Sequence, residues 1–99
     1  PRLLFFAGDR ELLRELRVSI VGSRGASEDG KKRAARLARE LSAVGVVVVS
    51  GLAEGIDTAA HLGAIEAGGR TIAVLGNPLS VYFPRQNREL QDTIIHEHL

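Results

Sequence analysis

The residue types best suited to binding an anion occur in a short turn at Gly22–Gly25, whose sequence is Gly-Ser-Arg-Gly. The turn follows the predicted strand Val18–Val21 and precedes a helix that Ser27 is expected to cap. Backbone N–H groups at such a junction can point at an anion. The hydroxyl of Ser23 adds a donor, and the guanidinium of Arg24 matches phosphate oxygens. The same pattern also suits a tight strand-to-helix turn with an exposed arginine, so both interpretations stay open.

A second small-residue turn, Ser50–Asp57, reads Ser-Gly-Leu-Ala-Glu-Gly-Ile-Asp and follows the run Val46–Val49. Four consecutive β-branched residues favour an extended backbone, and an unbroken apolar run suits a strand buried on both faces. Because ligands of parallel α/β sheets bind outside the carboxyl ends of the strands, we expect both turns at one functional edge. Asp57 either caps the following helix or holds the loop in shape, and we favour the structural role.

The sequence offers no convincing catalytic constellation. Glu54 is a candidate general base, but it has no evident partner nucleophile, acid or metal ligand. His61, one helical turn after Asp57, is expected to hydrogen-bond back to the loop rather than to act as a base. Neither a dinucleotide fingerprint nor a Walker A loop occurs, and no Cys or suitably spaced His indicates a metal site. We therefore expect a binding module with no catalysis, no cofactor and no metal.

Basic side chains are concentrated in the first part of the chain. Residues 1–39 contain ten Lys or Arg and five Asp or Glu, whereas residues 40–99 contain three and seven, although the net charge is only +1. A basic half favours a polyanionic partner mildly, since a solvated helix face is the commoner explanation. The chain has no apolar run of membrane-spanning length, no signal peptide and no Cys, which together predict a cytoplasmic protein.

The spacing of apolar residues predicts four strands that alternate strictly with four helices. The predicted strands are Leu3–Ala7, Val18–Val21, Val46–Val49 and Thr71–Leu75. The predicted helices run from Asp9 to about Arg17, from Ser27 to about Val44, from Ile56 to about Ala67 and from Asn87 to about His98. This alternation indicates an α/β fold with a mostly parallel sheet of about four strands. Because a doubly wound domain normally has more strands, residues 1–99 are expected to form part of one domain.

Several stretches occur in an order and spacing that a known family shares. They are Val21–Arg24 (Val-Gly-Ser-Arg), Ser50–Asp57, Ala60-His61, Gly69–Gly76, Phe83-Pro84 and Asn87–Leu90. Each stretch is weak alone, but the ordered set covers nearly all of the chain and resembles the DNA-processing protein A (DprA/Smf) family. Phe83 stands where that family usually has Tyr, and Ser80 stands where an acid is common.

The resemblance implies a Rossmann-like three-layer domain, of which this chain holds the first half. It also implies binding of single-stranded DNA and loading of a RecA-type recombinase, as in natural transformation, with self-association as a further expectation. The residues carried over as DNA- or phosphate-binding are Gly22, Ser23, Arg24, Gly25, Ser50, Gly51, Gly55, Arg85 and Arg88. Among these, Ser50, Gly51 and Gly55 are expected to shape the second turn. A basic face of Lys31, Lys32 and Arg36 is expected to add phosphate contacts.

Two rival hypotheses stay open. The wider superfamily includes nucleotide-cleaving phosphoribohydrolases, so a nucleotide-binding or nucleotide-cleaving enzyme or sensor is the main alternative. Their Pro-Gly-Gly-x-Gly-Thr turn and downstream catalytic Glu are absent from this sequence. A structural fragment whose open sheet edge needs a partner chain is the third hypothesis. For the leading hypothesis we expect single strands to bind over duplex with little sequence preference, because one Tyr, three Phe and no Trp leave few rings to stack on bases.

Overall fold

A computed structural model of the chain describes residues 5–76, 82 and 84–99. Within these ranges it contains a parallel sheet of three strands in the order β1-β2-β3. The strands are β1 (Arg17–Ser19), β2 (Val47–Ser50) and β3 (Thr71–Ala73). The central strand is the one with the valine run, as expected for a strand that is buried on both faces. The predicted α/β class with parallel strands is confirmed.

Two long helices, α1 (Glu28–Ala43) and α2 (Ile56–Glu66), cover one face of the sheet. The hydroxyl oxygen of Ser27 accepts a hydrogen bond of 3.0 Å from the N–H of Gly30, which confirms the predicted cap of α1. After the end of α1, Gly45 adopts a φ of +82°, a conformation that glycine takes without steric cost.

Small residues let the two helices approach each other and the sheet closely. A Cβ atom added to Gly63 of α2 would collide with the backbone of Ala35 in α1. The buried core on this face consists of Ile20, Ala34, Ala38, Val48, Ala60 and Ala64. α1 is therefore buried through its alanines, whereas Leu37, and Val44 at its C-terminal cap, are exposed.

The opposite face of the sheet is covered by two shorter segments. Val47 precedes Val48 in β2 and so points to the other face, where it packs with Leu12 and Ile72. Leu12 belongs to a short 3₁₀ helix, Arg10–Arg14. Leu99, which follows the last helix, α3 (Arg88–Glu97), packs against the same cluster. The layers of the described domain are thus helices, sheet, and a second helical layer.

The start of the chain differs from the prediction. Phe5–Ala7 are not part of the sheet, and Phe5 is 81 % exposed. The helix expected to reach Arg17 is a 3₁₀ helix that ends at Arg14; Leu12 is buried in it, whereas Leu13 and, beyond its end, Leu16 are exposed. The helix is shorter than predicted because the chain enters the sheet before Val18, where the strand was predicted to begin. The carbonyl of Leu16 already accepts a hydrogen bond from the N–H of Val47 in β2.

Some predictions fall on residues outside the described ranges. These are the first two residues of the predicted strand at Leu3–Ala7 and the family departures at Ser80 and Phe83. Within the described ranges, no helix is both long and apolar enough to cross a membrane.

Candidate nucleic-acid interface

The carboxylate of Asp57 ties the ends of β1 and β2 together. One oxygen accepts a hydrogen bond of 3.2 Å from the N–H of Gly22, and the other accepts one of 3.1 Å from the N–H of Gly51. Asp57 is buried, so the two bonds satisfy a charge that water does not reach easily. The structural role that the sequence favours for Asp57 is confirmed, although α2 itself has no side-chain cap.

Glycine is required where the two turns touch. Gly55 adopts φ +80°, and a Cβ atom added there would lie 2.5 Å from the carbonyl oxygen of Ser23. A Cβ atom on Gly22 would lie 2.7 Å from the side chain of Ile56. The first glycine turn (Gly22–Gly25) and the second glycine turn (Ser50–Asp57) therefore form one packed unit, and side chains at these positions would push them apart.

The second glycine turn is more buried than the first, although its Glu54 is exposed. Ser50 is 3 % exposed, and its hydroxyl donates a hydrogen bond of 2.5 Å to the carbonyl of Ile20. Leu52, which is fully buried, adopts φ +68°, a strained conformation for a residue with a branched side chain. Asn87 helps to hold this conformation, since its amide donates to the carbonyl of Leu52 at 3.0 Å and to the hydroxyl of Thr58 at 2.7 Å. Ser50 therefore shapes the turn and does not present its hydroxyl to solvent.

The first glycine turn is exposed, but two of its N–H groups already have partners. The N–H of Gly22 donates to Asp57, and the N–H of Gly25 donates to the hydroxyl oxygen of Ser23 at 3.1 Å. The expectation that the whole turn points its N–H groups at an anion is thus wrong for these two. The exposed guanidinium of Arg24, with the N–H groups of Ser23 and Arg24, remains as the set of candidate anion donors.

Two adjoining clefts open beside Arg24. The first cleft has a volume of about 360 Å³ and is lined by Arg24, Gly51, Ala53, Glu54, Leu75, Gly76 and Pro84. The second cleft has a volume of about 330 Å³ and is lined by Arg24, Lys31, Glu54, Gly55, Thr58, Ala59, Leu62, Gln86 and Asn87. Arg24 and Glu54 are among the described residues that line both clefts.

The basic face of α1 contributes unequally to this site. Lys31 lines the second cleft, where its ammonium also forms an ion pair of 2.8 Å with Glu28. That contact lowers the pKa of Glu28 below its ordinary value. Arg36 pairs with Glu40 at 3.0 Å, and Lys32 is exposed to solvent. Lys32 and Arg36 are absent from the described lining of either cleft, so they influence a ligand there only through long-range electrostatics, which salt screens.

The segment before α3 brings polar side chains to the same edge of the sheet. The amide of Gln86 donates a hydrogen bond of 2.6 Å to the carboxylate of Glu54. Arg85 and Arg88 are exposed on either side of this contact along the chain, and neither is among the described residues that line the clefts. The guanidinium of Arg88 lies 5.1 Å from the centre of the Tyr82 ring. A phosphate contact by either arginine stays a prediction.

His61 lies in the core, where its ring interacts with the backbone of Ser50 at the start of the second glycine turn, as expected, and also with β3. It is fully buried, and its Nδ1 lies 2.6 Å from the hydroxyl of Thr71. That hydroxyl donates to the carbonyl of Val48 at 2.9 Å, so Nδ1–H is the donor toward Thr71. Burial lowers the pKa of His61 to about 4, against an opposing contribution from Asp57. A neutral imidazole inside the core holds α2 to β3 and has no access to an external substrate.

The structure also bears on metal binding. Among the described residues, no group of three or more His, Asp or Glu side chains is placed to hold a metal ion.

The chain matches a known protein family over its whole length. The family model described as DNA recombination-mediator protein A matches residues 1–99. The chain belongs to this family. It is 48 % identical over 99 residues to the DNA processing protein DprA of Streptococcus pneumoniae, of which it covers 35 %. The chain thus spans about a third of the length of this relative and of the DNA processing protein DprA of Bacillus subtilis.

Solved structures of DprA proteins share the fold. The DNA processing protein A from Streptococcus pneumoniae superposes with a TM-score of 0.88 at 46 % identity, over 93 % of this chain and 32 % of that one. The DNA processing protein A from Helicobacter pylori superposes with a TM-score of 0.76 at 35 % identity, over 87 % of this chain and 40 % of that one. The latter structure was described for a unique single-stranded DNA binding mode of that protein. The Rossmann-like fold that the family resemblance implies is confirmed.

Two residues of the candidate site were not predicted from sequence. Asn87 anchors the second glycine turn from a distance of 35 residues along the chain, as measured from Leu52. Gln86 reaches Glu54 across 32 residues. Both lie in the Pro-x-x-Asn-Arg stretch that carries part of the family resemblance, and that stretch was the available signal. Their contacts depend on tertiary packing, which local patterns do not encode.

Proposed function

We propose that this chain binds single-stranded DNA through backbone phosphates held at the first glycine turn. The observation that carries the proposal is the position of Arg24, whose exposed side chain lines both clefts beside the turn. Lys31 adds a second cation in the second cleft. A planar guanidinium and an ammonium at one edge of a parallel sheet suit phosphate oxygens, and the description of the Helicobacter pylori relative supports DNA as their source.

The shape of the site favours a single strand over a duplex. The described lining of the first cleft lies outside helices and strands, whereas α1 and α2 contribute Lys31, Thr58, Ala59 and Leu62 to the second. A flexible single strand can bend to reach Arg24 between these elements. A stiff duplex usually requires a helix or ribbon that enters its major groove, and the described lining of neither cleft presents one that projects from the surface. Phosphate contacts position a strand without reading its bases, so these contacts alone give little sequence preference.

We infer the wider role from membership of the DprA family. In this proposal the bound strand is passed to a RecA-type recombinase during DNA processing in transformation, and the chain acts without catalysis. The burial of His61 supports the absence of a general base at that position. Self-association and a cytoplasmic location stay predictions, as does the view that residues 1–99 form part of a larger domain.

Fluorescence anisotropy with end-labelled oligonucleotides tests the proposal. We expect an oligo-dT strand to bind at low salt, a duplex of equal length to bind more weakly, and free nucleotides to compete poorly. Affinity should decrease with rising salt, because each neutralised phosphate releases counterions. Preference for duplex or affinity insensitive to salt would contradict the proposal, and efficient competition by nucleotides would favour the nucleotide-sensor alternative.

A further inference from the structure

Glu54 places a carboxylate among the groups that would hold a phosphate. Like Arg24, it is exposed and is among the described residues that line both clefts. Opposite charges at one site attract each other, and an ion pair with Glu54 would occupy the guanidinium that a phosphate needs. Within the residues that the structure describes, however, no ion pair joins Glu54 to Arg24 or to any other Lys or Arg. The separation of these two charges therefore has to be explained.

The amide of Gln86 supplies Glu54 with a different partner. The Nε2 group of Gln86 donates a hydrogen bond of 2.6 Å to the Oε1 atom of Glu54. Because the amide is neutral, this bond orients the carboxylate without adding a cation that would itself attract DNA. Gln86 also lines the second cleft, so the contact lies at the candidate site itself.

The backbone that carries Gln86 is fixed by buried neighbours. Pro84 and Asn87, which lie on either side of Gln86 along the chain, are both buried, and the N–H of Asn87 donates to the carbonyl of Pro84 at 3.0 Å. The side chain of Asn87 is bonded in turn to the carbonyl of Leu52, two residues before Glu54. The two ends of the Gln86–Glu54 bond therefore start from backbones that are already joined, and only the side chains have to be ordered.

We propose that Gln86 is a positioning residue, which holds the carboxylate of Glu54 away from Arg24 and so leaves the guanidinium free for a DNA phosphate. This inference rests on the proposed function, since it concerns the affinity of Arg24 for a strand. Without the amide of Gln86, the carboxylate can turn toward Arg24 and compete with the phosphate. Exposed ion pairs are weak, so this competition should reduce affinity by about twofold to fivefold and not abolish binding.

A double-mutant cycle, measured by anisotropy with oligo-dT at low salt, tests the inference. Gln86→Ala should weaken binding by about twofold to fivefold. Glu54→Gln removes the charge and keeps the shape of the side chain, so it should bind as tightly as the unmodified protein or more tightly. The double variant Gln86→Ala/Glu54→Gln should recover at least the affinity of the unmodified protein, because an uncharged side chain cannot neutralise Arg24. The loss in Gln86→Ala should also become smaller as salt rises, since salt screens an exposed ion pair.

Gln86→Ala/Glu66→Gln is the matched control. Glu66 is an exposed glutamate at the end of α2 and lies 3.9 Å from Arg39. Removal of this distant charge should leave the loss caused by Gln86→Ala in place. Because Gln86 and Glu54 are both exposed, all four variants should keep the urea midpoint of the unmodified protein.

Unchanged or tighter binding by Gln86→Ala would overturn the inference and leave the proposed function intact. So would a loss that persists after Glu54→Gln is added, because Gln86 would then act on the strand or on the fold and not through Glu54. Failure of the unmodified protein to bind oligo-dT would overturn the proposed function and, with it, the inference.

Discussion

The two glycine turns lie against each other at one edge of the sheet, yet their environments are opposite. The first, Gly22–Gly25, is exposed throughout, whereas the second buries Ser50, Leu52 and Asp57. In the second turn the polar groups bond to the protein itself, and one residue accepts a strained φ of +68°. The difference indicates a division of roles, in which the buried turn sets the shape and the exposed turn offers Arg24 to a ligand.

Substitution of Gly55 should have the largest effect, because it forces the two turns apart. In Gly55→Val the new side chain would meet the carbonyl of Ser23 and would require a β-branched residue at φ +80°. Backbone strain and overpacking together should lower the free energy of unfolding by roughly 2–6 kcal/mol and abolish binding to single strands. Urea denaturation followed by circular dichroism measures the first effect, and anisotropy measures the second.

Gly25→Ala is the control for that substitution within the other turn. A Cβ atom at Gly25 has Ser23 Oγ at 3.9 Å as its nearest neighbour, which is an ordinary contact. The free energy of unfolding should therefore change by less than about 1 kcal/mol. Comparable destabilisation by Gly25→Ala would mean that the exposed turn is as constrained as the buried one, and the proposed division of roles would fail.

Acid should lower the free energy of unfolding through His61, a buried residue that lies one turn after Asp57 on α2. Its folded-state pKa of about 4 is below the ordinary value of 6.5, so the unfolded chain takes up a proton first as pH falls. Stability is therefore complete above about pH 6.5 and decreases toward pH 4, by about 3 kcal/mol for this group. Burial also lowers the pKa of His98, which changes stability in the same direction.

Denaturation midpoints at a series of pH values test this prediction. His61→Gln should reduce the loss of stability as pH falls from about 6.5 to 4. His96→Gln, which alters an exposed histidine on α3, should leave this pH dependence of stability as in the unmodified protein. Identical pH profiles for all three proteins would show that His61 is protonated as readily in the folded state as in the unfolded chain.

Asp57→Asn gives a smaller and more local change, because it keeps the shape of the side chain that joins the turns. One of the two N–H groups, of Gly22 or Gly51, would then face an amide nitrogen and lose its acceptor. Loss of the acceptor for a partly buried donor should reduce the free energy of unfolding by about 1–2 kcal/mol. Asp29→Asn, at an exposed site in the first turn of α1, should cost less than about 1 kcal/mol. Equal losses in urea denaturation would argue against a specific tie at Asp57.

Much of the fold and part of the site could be predicted from sequence. The run Val46–Val49 identifies the central strand and Ser27 the start of α1, because both signals are local. The prediction that Phe5–Ala7 belong to a strand was wrong, since an apolar run does not reveal whether a partner strand lies beside it. Whether Ser50 faces solvent, and where His61 finds its partner, depends on contacts 30 and 10 residues away along the chain.

The central claim is that Arg24 makes a phosphate contact in a built site and does not simply add to a basic surface. The direct test is a salt titration of oligo-dT binding for the unmodified protein, Arg24→Ala and Arg39→Ala, the last at an exposed arginine near the far end of α1. We expect a log–log slope equivalent to about two to four phosphates for the unmodified protein, at about −0.7 per phosphate. Arg24→Ala should make the slope less negative by about 0.7 and weaken binding about tenfold or more, whereas Arg39→Ala should change both only slightly. Equal changes from the two substitutions would contradict the account and indicate a diffuse basic face.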